Sequence, residues 1–413
     1  MLKTKKEEQL SELYKPQSIE IKLLPKEENK LTELEKESKK ISIKLSEESV
    51  TKKNIFTPSK FTCKIECPEL NSSVIRSLED IEWLKSQLNE KYPMMYIPPT
   101  PNKKNLKNPQ SVSRYIQKFF NVIIRRKILR TSTLIQDFLT SDNIETYKKG
   151  VKEFKLAPNM ENYKSNKESL KFDFKEEQLY LPLKYLKKIE PNKSHYNTLD
   201  SLLSQIANDF QFLNKHCKEA SEIFAKLYKS AKDTDQSEYT KKVFEQLKGI
   251  FNDCATSYTK QSDFFEKDVK EFFNYIDMQL NEMNVIFSQY TKKRNEFESL
   301  GMDYLTKREK LFNEKKYNKW ELTKEDEAKL DTFKDNKEEA MKYICKDMGN
   351  NAQSLKLQVG CFCNIVMKQF NHINKYVGEQ MKEYFENVKE KNKELIEQGF
   401  TIFKLFNIQI EKD

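Results

Sequence analysis

The chain has 413 residues, 74 Lys and Arg against 64 Asp and Glu, and 33% charged and 37% hydrophobic residues, for a formal charge of +10. Its mean hydropathy of -0.83 calls for a high ratio of surface to core. With only 7 Gly and 12 Pro it encodes few turns. A many-stranded sandwich, a barrel or a doubly wound sheet therefore fits poorly, and long helices fit well. The longest nearly apolar run, Val359 to Met367, is interrupted by Asn364 and falls far short of the ~20 residues that span a bilayer. The start, Met1-Leu2-Lys3-Thr4-Lys5-Lys6-Glu7-Glu8, lacks the apolar core of a secretory signal. An odd count of 7 cysteines suits a reducing compartment, so a cytoplasmic chain is expected.

In chain order, residues 1–37 are charged and low in aromatics, the composition of a flexible tail. Apolar and polar residues then alternate over Ile41–Leu45, Phe61–Cys67 and Ser73–Arg76, which predicts a three-stranded meander. Cys63 and Cys67 share one strand face about 13 Å apart, too far for a disulfide or a common zinc, so both read as core. Helical spacing takes over at Asp80 with Ile81, Leu84 and Leu88. A proline-rich loop follows from Pro93 to Pro109, and helices resume over Ser111–Leu139. Residues 143–194 read as a linker. Within it, Leu179 to Ile189 is an amphipathic segment that either wedges into a bilayer or docks on the adjacent domain.

No proline follows Pro191. Apolar residues at alternating steps of three and four predict one helix from Leu199 to Leu227, ending near Asp233, and a second from Val243 to Tyr304. A third runs from a Thr323/Asp326 capping box to about Phe406. At ~1.5 Å per residue the second and third each exceed ~100 Å, and helices of that length are stabilised only by packing. Three antiparallel helices are expected. Their apolar stripe is wider than one hairpin of helices buries, so a homodimer or heterodimer along that seam is expected as well.

The charge is local. From Lys91 to Gln136 the chain has ten basic residues and no acid, so the remaining residues balance at 64 against 64. On a helix from Ser111, Arg114, Lys118 and Arg125 fall within ~40° of one another, with Ile116, Phe119, Phe120 and Ile123 opposite. One face packs and the other offers cations to an anionic partner, either lipid headgroups or nucleic acid. A second basic cluster, Lys292, Lys293, Arg294, Lys307, Arg308 and Lys310, lies towards the end of the second long helix and is a candidate membrane contact.

Catalytic signatures are missing. The nearest glycine pair, Gly349 and Gly360, is too widely spaced to cradle a phosphate, and no Gly-x-Ser-x-Gly or His-Glu-x-x-His occurs. His195, His216 and His372 lack metal-ligand spacing, so no catalytic residue, metal or cofactor is expected.

The stretch Val74-Ile75-Arg76-Ser77-Leu78-Glu79-Asp80-Ile81-Glu82-Trp83-Leu84, with Tyr92-Pro93 and Ile97-Pro98-Pro99-Thr100-Pro101-Asn102-Lys103, resembles the phox-homology (PX) domain of sorting nexins. Similarity continues through Tyr115–Phe120 and from Leu129 to Leu139, so the resemblance covers residues 38–142. Followed by long helices at residues 195–413, it is similar to the PX-BAR sorting nexins. That resemblance implies an α+β PX-like domain and then an all-α, long antiparallel three-helix BAR-like bundle that dimerises. It further implies a non-enzymatic, peripheral protein on endosomal membrane that binds phosphoinositide or other anionic lipid and shapes tubules for cargo sorting. The partners implied are another sorting nexin and a retromer-like coat or cargo tails; nucleic acid is not expected, because the aromatics of Tyr115 to Phe120 fall mostly on the packing side of their helix. In the family an Arg-Arg-Tyr-Ser-Asp-Phe run reads the headgroup. Here Arg76 matches the first Arg, Ser77 and Leu78 replace the second Arg and the aromatic, and Lys103 matches the loop lysine. Serine lacks the charged fork that phosphate prefers. The expected lipid ligands are therefore Arg76, Lys103, Lys104, Arg114 and Lys118; otherwise the domain binds membrane non-specifically or binds a protein.

Overall fold

The computed structural model describes residues 43–51, 60–101, 109–130, 132–153, 180–310, 324–330, 336, 339–340 and 345–404. The tail at 1–37, Lys103, Lys104 and the Thr323 cap lie outside them. The chain divides into two compact units. The first comprises Met1–Lys187 with Asn281–Phe370, and the second Lys188–Leu280 with Asn371–Asp413.

Unit 1 opens with an antiparallel sheet ordered β1 (Lys44–Thr51), β2 (Lys60–Cys67) and β3 (Ser72–Ser77). The expected meander is present. Its first strand runs on to Thr51, across a register shift between Ser46 and Ser49. Beyond the shift, the Ser49 and Thr62 hydroxyls bond at 2.7 Å. Alternation decides the faces: Phe61, Cys63, Ile65 and Cys67 are fully buried, and Lys60, Thr62, Lys64 and Glu66 face outward.

Helices α1 (Leu78–Lys91), α2 (Pro109–Arg125) and α4 (Thr133–Thr140) cover the inner face, and the short α3 (Lys127–Arg130) and α5 (Ile144–Glu153) pack on α4. Helix α1 begins at Leu78, two residues before the position that spacing suggests. Ser77 accepts from the Asp80 amide at 3.2 Å while Asp80 accepts from the Ser77 amide at 2.8 Å, a reciprocal capping box. In α2, Ile116, Phe119, Phe120 and Ile123, the apolar face expected from the sequence, are fully buried, and Val112 and Tyr115 join them at no more than 1% exposure. Each such side chain contributes about 2 kcal/mol by leaving water.

The long helices are α6 (Leu181–Asp233), α7 (Glu238–Asp263), α8 (Lys270–Lys310), a short α9 (Lys324–Leu330) and α10 (Lys346–Lys404). Two expectations change. Helix α6 starts at Leu181, so the amphipathic segment forms its first turns. Pro182 is buried and the Tyr185 ring lies 4.3 Å from that of Phe370, a docked rather than a wedged arrangement. The expected second helix is realised as α7 and α8, joined without a break by a π-helical turn, Phe264–Val269, in which the Lys270 amide reaches back to the Phe265 carbonyl. That turn inserts one extra residue per repeat, so Phe264 and Val269 both face inward.

Within unit 2 these two residues join Leu203 and Leu395 in a core cluster. Phe210 stacks on Phe265 at 5.8 Å and on Tyr258 at 6.1 Å, and Phe224 stacks on Phe251 at 5.4 Å. Phe272 and Tyr384 stack nearly parallel at 3.8 Å. The Tyr384 hydroxyl is buried there with no hydrogen-bond partner among the described residues. Tyr384→Phe keeps the ring and removes an unpaired polar group, so its stability to urea should equal or exceed that of the parent. Tyr384→Ala should lose about 3 kcal/mol. A destabilised Tyr384→Phe would mean that the hydroxyl has a partner.

Candidate functional site

The five residues expected to hold a lipid headgroup meet different fates. Arg76 lies on β3, where alternation points it inward, and it is 1% exposed. Its Nε and one terminal nitrogen donate to the Phe138 carbonyl at 3.2 and 2.7 Å. The same terminal nitrogen also donates to the Ser141 carbonyl, and the other donates to the Ile75 carbonyl at 2.9 Å. The guanidinium lies 5.0 Å over the Phe138 ring. These contacts satisfy carbonyls at the C-terminus of α4 that the helix itself leaves open. The expectation that Arg76 is a lipid ligand is corrected here: its donors are committed to backbone, and burial pulls its pKa down.

Beside it, Ser77 is occupied as the N-cap of α1 and Leu78 is 2% exposed, so neither presents a cation or an aromatic plate to solvent. Sequence reading missed the next partner, Lys148 of α5. Its ammonium contacts the Asp80 carboxylate and sits 5.9 Å over the Trp83 ring, itself edge-on to Tyr147 at 5.5 Å. Burial alone would raise the Asp80 pKa. The bonds from Lys148 and Ser77 outweigh it and hold the carboxyl below its usual range. The Ser-x-x-Asp spacing at 77–80 signals the cap, but nothing local signals a lysine 68 positions on.

The basic run divides in two. Lys91 and Arg126 are buried at 8% and 9% exposure. The Arg126 guanidinium lies 5.1 Å over the Tyr96 ring, donates to the Tyr96 carbonyl at 3.3 Å and contacts the Gln369 side-chain oxygen. Burial lowers its pKa to about 10. Met94, with a left-handed φ of 68°, turns the loop that carries Tyr96. Arg130 is half-buried and donates to the Ile124 carbonyl at 3.1 Å. Arg114 and Arg125 of α2 are exposed, and the ammonium of half-buried Lys118 lies 5.9 Å from the Tyr115 ring. Of the expected residues, the structure brings Arg114 and Lys118 together on one face and adds Arg125.

On α8, Lys292, Lys307 and Lys310 are exposed, Lys293 pairs with Glu296 at 2.8 Å and Arg308 is half-buried. Arg294 is buried over Tyr180 beside Glu298. Exposed Asp303 and half-buried Glu296 share the face of Lys292 and Lys310, which dilutes its positive charge. Among the described residues no group of three metal-ligating side chains occurs, and no helix is long and apolar enough to cross a membrane.

A three-stranded sheet under α1, α2 and α4 is followed by long helices, the order that the sequence resemblance implies. Comparison agrees: residues 68–142 match the PX domain family. Among solved structures the chain is similar to the cryo-EM structure of the SNX-BAR Mvp1 tetramer, with a TM-score of 0.62 and 15% identity, covering 88% of this chain and 100% of that chain. No curated protein matches the sequence. The chain therefore carries a PX domain and has the fold of a PX-BAR sorting nexin.

Arg76→Met strands buried carbonyls and should lower the unfolding free energy by about 3 kcal/mol in urea titrations; an unchanged midpoint would refute the clamp. Because the Asp80 pKa is depressed in the folded state, its stabilisation is present above the unfolded carboxylate value, ~4, and is lost as pH falls through the lower folded value. Melting curves between pH 6 and pH 2 should therefore fall less steeply for Asp80→Asn than for the parent.

Proposed function

We propose that this chain is a peripheral membrane protein of sorting-nexin type. In this reading unit 1 engages an anionic membrane surface, endosomal by the family resemblance, and unit 2 pairs with a second copy to form a scaffold for tubules that sort cargo. The observation that carries it is the separation of charge from exposed apolar surface. Unit 2 contains 20 Lys and Arg against 23 Asp and Glu, which leaves 54 against 41 in unit 1. Of the 12 exposed large hydrophobics among the described residues, ten lie in unit 2. On α6, Leu202, Ile206, Leu213 and Leu227 fall within ~60° of one another, with Phe212 and Ile223 alongside. On α10, Phe385, Ile396 and Phe400 do the same. A near-neutral surface with apolar stripes favours association with a copy of itself, and a cationic one favours anionic lipid. Each Lys or Arg near such a surface contributes about 1 kcal/mol, and pairing doubles the number presented, so several modest contacts hold the protein without a deep pocket.

Light scattering on the full chain should give a dimer or a higher even assembly, and Leu213→Glu with Phe400→Glu should shift it towards monomer. Co-sedimentation with acidic vesicles should be retained at low salt and lost at high salt. A monomeric parent chain that ignores acidic vesicles would sink the reading.

A further inference from the structure

We propose that Cys217 and Cys254, the two cysteines of unit 2, are a reversible modification site: an intrachain disulfide that staples α6 to α7, formed by exchange with a small disulfide of the oxidised-glutathione class. Both are free thiols in the structure. They stand 37 positions apart in the chain, and the hairpin of α6 and α7 brings them to the same level.

Contacts on either side fix that register. Phe210 stacks on Tyr258 at 6.1 Å, and Phe224 stacks on Phe251 at 5.4 Å. Cys217 lies midway between the two phenylalanines of α6, and Cys254 lies midway between the two opposite rings of α7. Closer in, the Asn214 amide donates to the Thr259 hydroxyl at 2.8 Å and the Ser221 hydroxyl donates to the Lys248 carbonyl at 3.0 Å. Electrostatics agree with the geometry. Burial raises the Cys254 thiol pKa most, and Cys217 and then Asp253 add to it; burial likewise raises the Tyr258 phenol, with Cys217 and Cys254 adding. The three groups therefore share one spot on the hairpin.

Cys254 is 9% exposed, whereas Cys217 is half-buried and ~40° round α6 from exposed Leu213, so a small oxidant reaches Cys217 first. Its thiolate attacks one sulfur of the small disulfide and the other sulfur leaves as a thiolate. The Cys254 thiolate then attacks Cys217 Sγ in the mixed disulfide and expels the second small thiolate. Two protein thiols become one disulfide, the reagent becomes two thiols, and the two protein protons pass to them. Burial raises both cysteine pKa values, which keeps thiolate scarce and the exchange slow, on a scale of minutes to hours. The closed loop contains the turn between α6 and α7, so the bond restrains the unfolded chain.

The test treats the full chain with oxidised glutathione under native conditions, blocks the remaining thiols and maps the peptides by mass spectrometry. A peptide linking Cys217 to Cys254 is expected, from protein that runs as a monomer on a non-reducing gel, and dithiothreitol should remove the link. The oxidised chain should melt about 8 °C above the reduced one. Cys217→Ser and, separately, Cys254→Ala should abolish both the link and the shift, with circular dichroism verifying that each is folded; the peptide map of the parent chain is free of mutation. Glutathione retained on Cys217, links between chains, or a Cys217–Cys254 link that appears only in urea would each overturn the site. A link that forms without raising the melting midpoint would overturn the staple.

Discussion

Arg76 sits where a strand residue has no choice but to point inward, and a buried guanidinium must find acceptors for its N–H groups or lose several kcal/mol. It finds them in the Phe138 and Ser141 carbonyls at the end of α4 and in its own neighbour, Ile75. That single arrangement ties the third strand to the fourth helix and closes a helix end that would otherwise be open. It also removes the cation on which a headgroup pocket at this place would be built. Beside it, Ser77 caps α1 and Leu78 fills the core beneath.

What remains outside is a different kind of surface. The helix α2 is amphipathic in an unusually complete way, since its polar side is cationic with no acid in reach along the helix. The core side of the same helix contributes burial, and that burial orients the cationic side. The second unit reverses this balance. Its net charge is slightly negative and, among the described residues, its surface holds most of the exposed large apolar side chains. The chain thus places its basic surplus in one unit and, among the described residues, most of its exposed large apolar side chains in the other.

Local pattern carried much of the fold. The alternation at Phe61–Cys67, the three-four spacing of α2 and the proline-free stripes each translate directly into strand, helix and long helix, because side-chain periodicity is a property of the backbone conformation alone. Pattern was weaker at junctions. The π turn at Phe264–Val269 is invisible to a scan that assumes one helical period. The start of α6 at Leu181 runs through Pro191, which local rules treat as a boundary.

Sequence by itself determined the meander, the amphipathic helix α2 and the proline-free helices, where the basic surplus lies, and that long helices with broad apolar stripes must pack. These follow from composition and from spacing between near neighbours. It read residues 143–194 as a linker, where the structure has α5 and the start of α6. Tertiary structure decided which cations are surface and which are scaffold: Arg76 and Arg126 are indistinguishable from Arg114 and Arg125 in a count of charge, yet two are buried against carbonyls and two face water. The reason is that burial depends on what arrives from elsewhere in the chain. Phe138 and Ser141 reach Arg76 across more than sixty residues and Gln369 reaches Arg126 across more than two hundred, distances at which sequence spacing carries no information.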